Sequence, residues 1–259
     1  MSNDTSEPRP ASSSRAPWGP WRASFGTVLS FLGAQIFIQI FVLVYLAANH
    51  HSNSALTSLT DSIAGQFWVT LMAEVVTLAT VWLFVRKWSW AKIKQGIGLR
   101  KLRWHDAGFA IFGVILYLAA YTLTLNITSS FFNLDVNQEQ SIGFSGATGF
   151  IPLVLAAVSL VVLPPLVEEI VFRGYLYGGL RNKMTPVVAA IVTSLVFAAP
   201  HALESSDGKL LWVAAIDTFT LSLVLCYLRQ KTGSIYAGIG VHAIKNGLAF
   251  ITLFILHVR

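Results

Sequence analysis

Apolar runs long enough to cross a membrane dominate this chain. A transmembrane helix needs about 20 consecutive, mainly apolar residues, and the 259-residue sequence contains seven runs of this kind. Only 12% of the residues are charged, whereas about a quarter are charged in a soluble domain. We therefore predict an all-α fold, a polytopic membrane helix bundle of about seven transmembrane helices. The predicted spans lie near residues 25–48, 63–85, 107–128, 150–179, 187–203, 210–228 and 235–256.

Lysine and arginine residues fall mainly on one side of these spans. They precede the first span, fill the connection 86–103 between the second and third, and follow the fourth and the sixth. Loops on the other side carry mostly acidic residues, and Lys209 is the only basic residue between spans there. Because Lys and Arg concentrate in cytoplasmic loops, we predict that the N-terminus is inside and the C-terminus outside. This distribution accounts for the net charge of +6, so nucleic-acid binding is not expected.

The sequence divides into three segments. Residues 1–24 are rich in Ser, Pro and Arg, which predicts a disordered cytoplasmic tail. Residues 25–128 hold three N-terminal transmembrane helices, and residues 150–256 hold the four helices that carry the polar residues discussed below. The single cysteine, Cys226, can form neither a disulfide framework nor a thiolate metal site alone, so we expect it to pack in the core.

The fourth span contains two glutamates and an arginine within an apolar run. Ionisable side chains at membrane depth usually mark a functional site. Glu169 and Arg173 are four residues apart, share one face of a helix and are expected to form a buried ion pair. Glu168 points about 100° away from Glu169 and is left to act as a general base towards water. Pro164 and Pro165 precede this group and should kink or break the helix.

Two later spans add imidazole and carboxamide groups. His242 and Asn246 are four residues apart on the last span, so one can stabilise a developing oxyanion while the other orients it. His201 approaches from the fifth span. Together with Glu168, these residues predict a hydrolytic site. Each histidine alone could instead hydrogen-bond a neighbouring helix.

A metal site is a second interpretation of the same residues. Glu168, His201 and His242 supply carboxylate and imidazole groups, which are good zinc ligands. The zincin signature His-Glu-x-x-His is absent from the sequence, so the spacing gives no support for a metal. The cofactor therefore stays open between a divalent metal such as zinc and none.

Two further acids lie within predicted spans, Glu74 in the second and Asp217 in the sixth. They could form a proton path, as in a transporter. The interpretation that we favour is that they bridge helices or line the same cavity as Glu168. Lys245 is a candidate partner for one of them.

Three motifs follow one another in the C-terminal part of the chain. They are Glu-Glu-x-x-x-Arg at 168–173, Phe-x-x-x-His at 197–201 and His-x-x-x-Asn at 242–246. At these residues the chain resembles the CPBP family (CAAX protease and bacteriocin-processing, also called Abi) of intramembrane proteases. That family includes the type II CAAX prenyl proteases and bacteriocin self-immunity proteins. The resemblance covers about residues 150–250, and the first three spans match only as generic hydrophobic helices.

The resemblance implies a multi-helix membrane endopeptidase in which Glu168 activates water. It further implies that His201, His242 and Asn246 polarise the peptide carbonyl or hold the tetrahedral intermediate. Members of the family are commonly described as metalloproteases, and a glutamate-dependent mechanism without a metal is also argued for them.

The expected function is therefore hydrolysis of a membrane-associated, lipidated or otherwise hydrophobic peptide or protein. Glu169 and Arg173 would shape the site, and the helix depths of the polar residues slightly favour a cavity open to the inside. We expect the protein to reside among lipids of a bacterial plasma (inner) membrane; the sequence sets no oligomeric state. Two alternatives remain: a non-catalytic bacteriocin-immunity or partner-binding membrane protein and, less favoured, a proton-coupled transporter.

Overall fold

The secondary structure of this protein is helical throughout its described part. The computed structural model describes residues 15–49, 59–135, 142–203 and 208–257, and no strand occurs among them. The predicted all-α fold is thereby confirmed. The helices are α1 Pro20–Ala48, α2 Ile63–Val85, α3 Trp90–Ile97, α4 Trp104–Phe131, α5 Phe150–Leu180, α6 Pro186–His201, α7 Trp212–Thr232 and α8 Tyr236–Ile255.

Six of the described helices are long and apolar enough to cross a membrane, namely α1, α2, α4, α5, α7 and α8. The predicted count of about seven is not confirmed because α6 has only 16 residues. At 1.5 Å per residue its length is about 24 Å, which is shorter than the roughly 30 Å hydrocarbon core of a bilayer. Large apolar side chains on the outer faces of the long helices, such as Ile36, Leu43 and Ile115, are exposed. An outer surface of this kind is that of an integral membrane protein, and the inside location of the N-terminus stays a prediction.

The chain before α1 packs against the end of α5. The first 14 residues of the predicted tail lie outside the described residues, but Trp18 is only 1% exposed and α1 begins at Pro20. The indole Nε1 of Trp18 donates to the Tyr175 carbonyl at 2.9 Å. Asn182 Nδ2 donates to the carbonyls of Ala16 at 2.9 Å and of Trp18 at 2.6 Å. Residues from Ala16 onward are therefore packed in the bundle, although the predicted tail extends to residue 24.

Helix α5 continues through the Pro164-Pro165 pair without a break. It takes π-helical form on both sides of the pair, at Val158–Val162 and at Glu169–Leu176. Pro164 lacks the N–H that would bond the carbonyl of Leu160 in an α-helix. The side chain of Asn246 on α8 bonds that carbonyl instead, with Nδ2 donating at 2.9 Å. The expected break does not occur, because wider π-helical turns accommodate the prolines and a side chain of a neighbouring helix donates a hydrogen bond to the free carbonyl.

Helix α5 is the centre of the bundle. Its second half contributes Phe172, Tyr175 and Leu176 to the main core, where they pack with residues of α1, α2, α3, α6 and α7. The predicted core residue Cys226 on α7 is 0% exposed and belongs to the same cluster. A second core joins α4, α7 and α8. The polar residues of the fourth span are thus surrounded by helices on several sides.

Truncation of Trp18 tests whether the segment before α1 belongs to the fold. We expect Trp18→Ala to lower the free energy of unfolding by about 3–5 kcal/mol, because it empties a large buried site and removes a hydrogen bond. Trp21→Ala is the matched control, since Trp21 is 88% exposed. Thermal unfolding in detergent measures both variants. Equal melting temperatures for the two would contradict the packing described here.

Candidate active site

A cavity of about 350 Å³ lies between α5, α6, α7 and α8. The side chains of Glu168, His201, His242 and Asn246, the four residues predicted to be catalytic, all line it. They come from three different helices, so the tertiary fold brings together residues that are up to 78 positions apart in sequence. Their catalytic roles remain predictions.

Glu169 and Arg173 form the expected ion pair beside this cavity. Arg173 Nη1 lies 2.9 Å from Glu169 Oε1, and both side chains are 0% exposed. The guanidinium carbon of Arg173 lies over the ring of Phe197, 4.4 Å from its centroid. Glu168 differs from its neighbour because its side chain is 18% exposed and borders the cavity. The two adjacent carboxylates therefore have different surroundings, as the helical geometry predicts.

The imidazole of His242 lies between the two carboxylates. Its Nε2 is 3.7 Å from Glu168 Oε2 and its Nδ1 is 3.7 Å from Glu169 Oε1. These separations exceed hydrogen-bond length, but they are short enough for a protonated ring to interact electrostatically with both acids. His242 therefore lies between the buried ion pair and the partly buried carboxylate of Glu168.

The tautomer of a neutral His201 ring follows from its hydrogen bond. Nδ1 lies 2.9 Å from the carbonyl oxygen of Phe197, which can only accept, so Nδ1 carries the hydrogen. In the neutral ring Nε2 is then an acceptor. The aromatic ring of Phe197 is 5.1 Å from the His201 ring and 6.0 Å from the His242 ring, measured between centroids. Phe197 thus holds the two imidazoles at a fixed spacing.

One amide hydrogen of Asn246 is used in a hydrogen bond to the backbone of α5. Since the Leu160 carbonyl is an acceptor, the nitrogen of the carboxamide faces it. The amide oxygen and the second N–H hydrogen remain for other partners. Asn246 can therefore serve the cavity and the proline-containing helix at the same time.

Asp217 joins three helices next to the cavity. Its Oδ2 is 3.0 Å from Lys245 Nζ, and its Oδ1 accepts a hydrogen bond from the Tyr117 hydroxyl. The expectation that Asp217 bridges helices and that Lys245 pairs with one of the two acids is met. Glu74 lies on the face of α2 that also carries buried Thr77, and it does not line this cavity. Tyr117 was not singled out from the sequence, because a lone tyrosine in an apolar span carries no motif.

The cavity extends away from the basic loops. Ile142, Phe250 and Phe254 line the end opposite those loops, whereas His242 and Glu168 lie deeper in the bundle. The helix depths estimated from sequence slightly favour an opening on the basic side, and the route of entry stays a prediction. Because α6 is short, His201 stands at a helix end rather than in the middle of a span.

The three side chains proposed as metal ligands line one cavity, and a bound metal stays a prediction. Within the described ranges, no three His, Cys, Asp or Glu side chains converge in a way that could hold a metal ion. The proposed set Glu168, His201 and His242 shares a cavity without meeting this geometry.

A family model identifies the part of the chain that carries this cavity. The model of the Rce1-like family, described as type II CAAX prenyl endopeptidase Rce1-like, matches residues 150–248. The matched segment, residues 150–248, is thus similar to the Rce1-like family. The resemblance predicted from the three motifs is thereby confirmed for this segment.

Bacterial relatives extend the similarity beyond the Rce1-like segment. An uncharacterized protein of Mycoplasma capricolum is 28% identical over 227 residues, which cover 83% of this chain and 63% of the relative. YyaK of Bacillus subtilis, also uncharacterized, is 36% identical over 115 residues, or 42% of this chain and 36% of the relative. A third relative, from the same organism, is named "Putative membrane peptidase YdiL" and is 28% identical over 153 residues, covering 59% of this chain and 56% of the relative.

The chain spans less than two thirds of the length of each of these three relatives. No solved structure gives a significant match.

Gly238 offers a test of the packing around the ion pair. It lies one turn before His242 on α8, and a Cβ at this position would collide with Glu169 Oε2. We expect Gly238→Ala to destabilise the protein by about 1–3 kcal/mol, because the buried carboxylate must move.

Gly247→Ala on the same helix is the control. Its Cβ would meet Val161 Cγ1 at 3.6 Å, an ordinary contact, and Ala is favoured over Gly within a helix by about 0.5–1 kcal/mol. Melting temperatures should therefore fall for Gly238→Ala and stay level or rise for Gly247→Ala. A Gly238→Ala protein as stable as Gly247→Ala would refute the close approach of α8 to Glu169.

Proposed function

We propose that this protein is an intramembrane endopeptidase that hydrolyses a peptide bond with water activated by Glu168. The observation that carries the proposal is the convergence of Glu168, His201, His242 and Asn246 on one cavity within the Rce1-like segment. A carboxylate that can take a proton, together with groups that can hold an oxyanion, is the set of parts that peptide hydrolysis requires.

The first step is attack of water on the peptide carbonyl. Glu168 accepts a proton from the water molecule while the oxygen of that water bonds to the carbonyl carbon. His201, whose neutral ring has Nε2 as acceptor, helps to hold that water. The carbonyl oxygen gains the negative charge, and hydrogen bonds from His242 and from the second N–H of Asn246 stabilise it.

The second step is collapse of the tetrahedral intermediate. The carbonyl double bond re-forms and the C–N bond breaks. The proton held by Glu168 passes to the leaving nitrogen, so the carboxylate is restored for the next cycle. The acid thus changes from general base to general acid within one turnover.

Glu169 and Arg173 support the site without touching the substrate. Both are fully buried, and the charge of Arg173 offsets that of Glu169. In this way His242 has a fixed carboxylate at its Nδ1 side while its other nitrogen faces Glu168. Pre-organisation of this kind lowers the cost of reaching the transition state.

The walls of the cavity favour a hydrophobic substrate. Its volume of about 350 Å³ lies within the usual range of ligand sites, about 300–1,000 Å³. Leu221, Phe250, Leu253 and Phe254 supply apolar surface around the polar residues. We therefore propose a membrane-associated or lipidated peptide or protein as substrate, and the plasma membrane of a bacterium as the location, since the relatives described above are bacterial.

Substitution of Glu168 tests the proposal. We expect Glu168→Gln to lose all cleavage of a membrane-protein and peptide library, because the amide cannot accept the proton from water. Glu74→Gln is the matched control and should cleave like the wild type, since Glu74 lies outside the cavity. Mass spectrometry of the library detects the new termini. Equal activity of Glu168→Gln and wild type would exclude Glu168 as the base.

The same cleavage assay in the presence of a chelator tests whether the reaction needs a metal. Cleavage that survives a chelator supports water activated by Glu168 alone, whereas cleavage abolished by the chelator and restored by zinc would require a metal. Partner binding that persists in Glu168→Gln, with no cleavage by any variant, would favour the bacteriocin-immunity or partner-binding function instead.

A further inference from the structure

A second cavity, of about 360 Å³, lies at the opposite end of the bundle from the candidate active site. It forms where the segment before α1 meets the end of α5, the turn into α6 and the end of α7. None of the four residues of the candidate active site lines it. We call it the basic cavity because its charged lining residues are Arg15, Arg181, Lys183 and Arg229.

The charged side chains that line the basic cavity are all cationic. Within the part of the chain that the structure describes, no Asp or Glu lines it. Several cations that share one concave site without a carboxylate raise the local positive potential, and such a site attracts anions. The chemistry of the lining therefore points to an anionic ligand.

The two central guanidinium groups are held in place by the protein. Arg229 Nη2 donates to the Gly96 carbonyl at 2.9 Å. Arg181 Nη1 donates to the Met184 carbonyl at 2.5 Å, and its Nε to Gln230 Oε1 at 3.2 Å. Each guanidinium has five N–H donors, so both retain donors beyond these bonds. Arg229 Nε, in addition, is buried and has no hydrogen-bond partner among the described residues.

The position of the cavity is that of the membrane interface. Helices α5 and α7 end there and α6 begins there. Three exposed tryptophans mark the same end of the bundle, namely Trp21 at 88%, Trp90 at 56% and Trp104 at 95% exposure. Tryptophan is enriched where a membrane protein meets the lipid headgroups. The basic cavity thus opens at the depth where phosphates of lipids lie.

We propose that the basic cavity binds the phosphate of an acidic phospholipid headgroup. A guanidinium fork matches the oxygen atoms of a phosphate, and basic pockets between the ends of membrane helices recognise anionic headgroups. A bound lipid would fasten the segment before α1 to the ends of α5 and α7, since all three contribute lining residues.

Lipid binding to the full chain in detergent tests this inference. Native mass spectrometry compares phosphatidylglycerol with phosphatidylcholine, added in equal amounts. The test variant is Arg181→Gln with Lys183→Gln. The control is Lys92→Gln with Lys101→Gln, which removes the same charge from exposed residues at the same end of the bundle that do not line the cavity.

The wild type and the control should bind phosphatidylglycerol in preference to phosphatidylcholine. The test variant should bind phosphatidylglycerol about tenfold more weakly or worse, because two charges close to the phosphate are lost. If that double variant fails to fold, Lys183→Gln alone is compared with Lys92→Gln alone. No preference between the two lipids, or equal losses in test and control variants, would overturn the proposal. Inorganic phosphate that displaces the lipid at equal concentration would show that soluble phosphate, not a headgroup, is the ligand.

Discussion

The ion pair between Glu169 and Arg173 is the interaction on which the candidate site depends. Both side chains are completely buried, so each charge has lost its hydration and needs the other. The elements around the pair are fitted to it: Phe197 of α6 covers the guanidinium, and Gly238 of α8 leaves room for the carboxylate. The Nδ1 atom of His242 lies 3.7 Å from the same carboxylate. One pair of charges thus aligns three helices around the candidate active site.

The proline pair of α5 imposes a second constraint, and the protein satisfies it with a residue of the site. Pro164 leaves the Leu160 carbonyl without its helical donor, and Asn246 supplies one. The π-helical turn that starts at Glu169 is of the kind often found at functional sites. The fold and the candidate active site are therefore joined, because the residue that bonds the freed carbonyl of α5 also lines the cavity.

Much of this architecture could be predicted from the sequence, because it depends on local periodicity. The span predicted at 63–85 matches α2, and the i, i+4 spacing predicted the Glu169–Arg173 pair. Burial of Trp18 was missed, since Ser, Pro and Arg around it outweigh one aromatic residue in composition. The length of α6 and the direction of the cavity depend on where helices end in three dimensions, which hydropathy alone does not define. The contact of Tyr117 with Asp217 joins residues 100 positions apart and leaves no local signal.

The most direct test of this account compares the two neighbouring glutamates by the same substitution. The free energies of unfolding of Glu168→Gln and Glu169→Gln are measured in mixed detergent micelles with increasing dodecyl sulfate. Glu169→Gln should lose about 3–5 kcal/mol, because it leaves the buried charge of Arg173 without its partner. Glu168→Gln, at the cavity surface, should change stability by less than about 1 kcal/mol. Equal losses, or a larger loss for Glu168→Gln, would contradict the division between a structural and a reactive carboxylate.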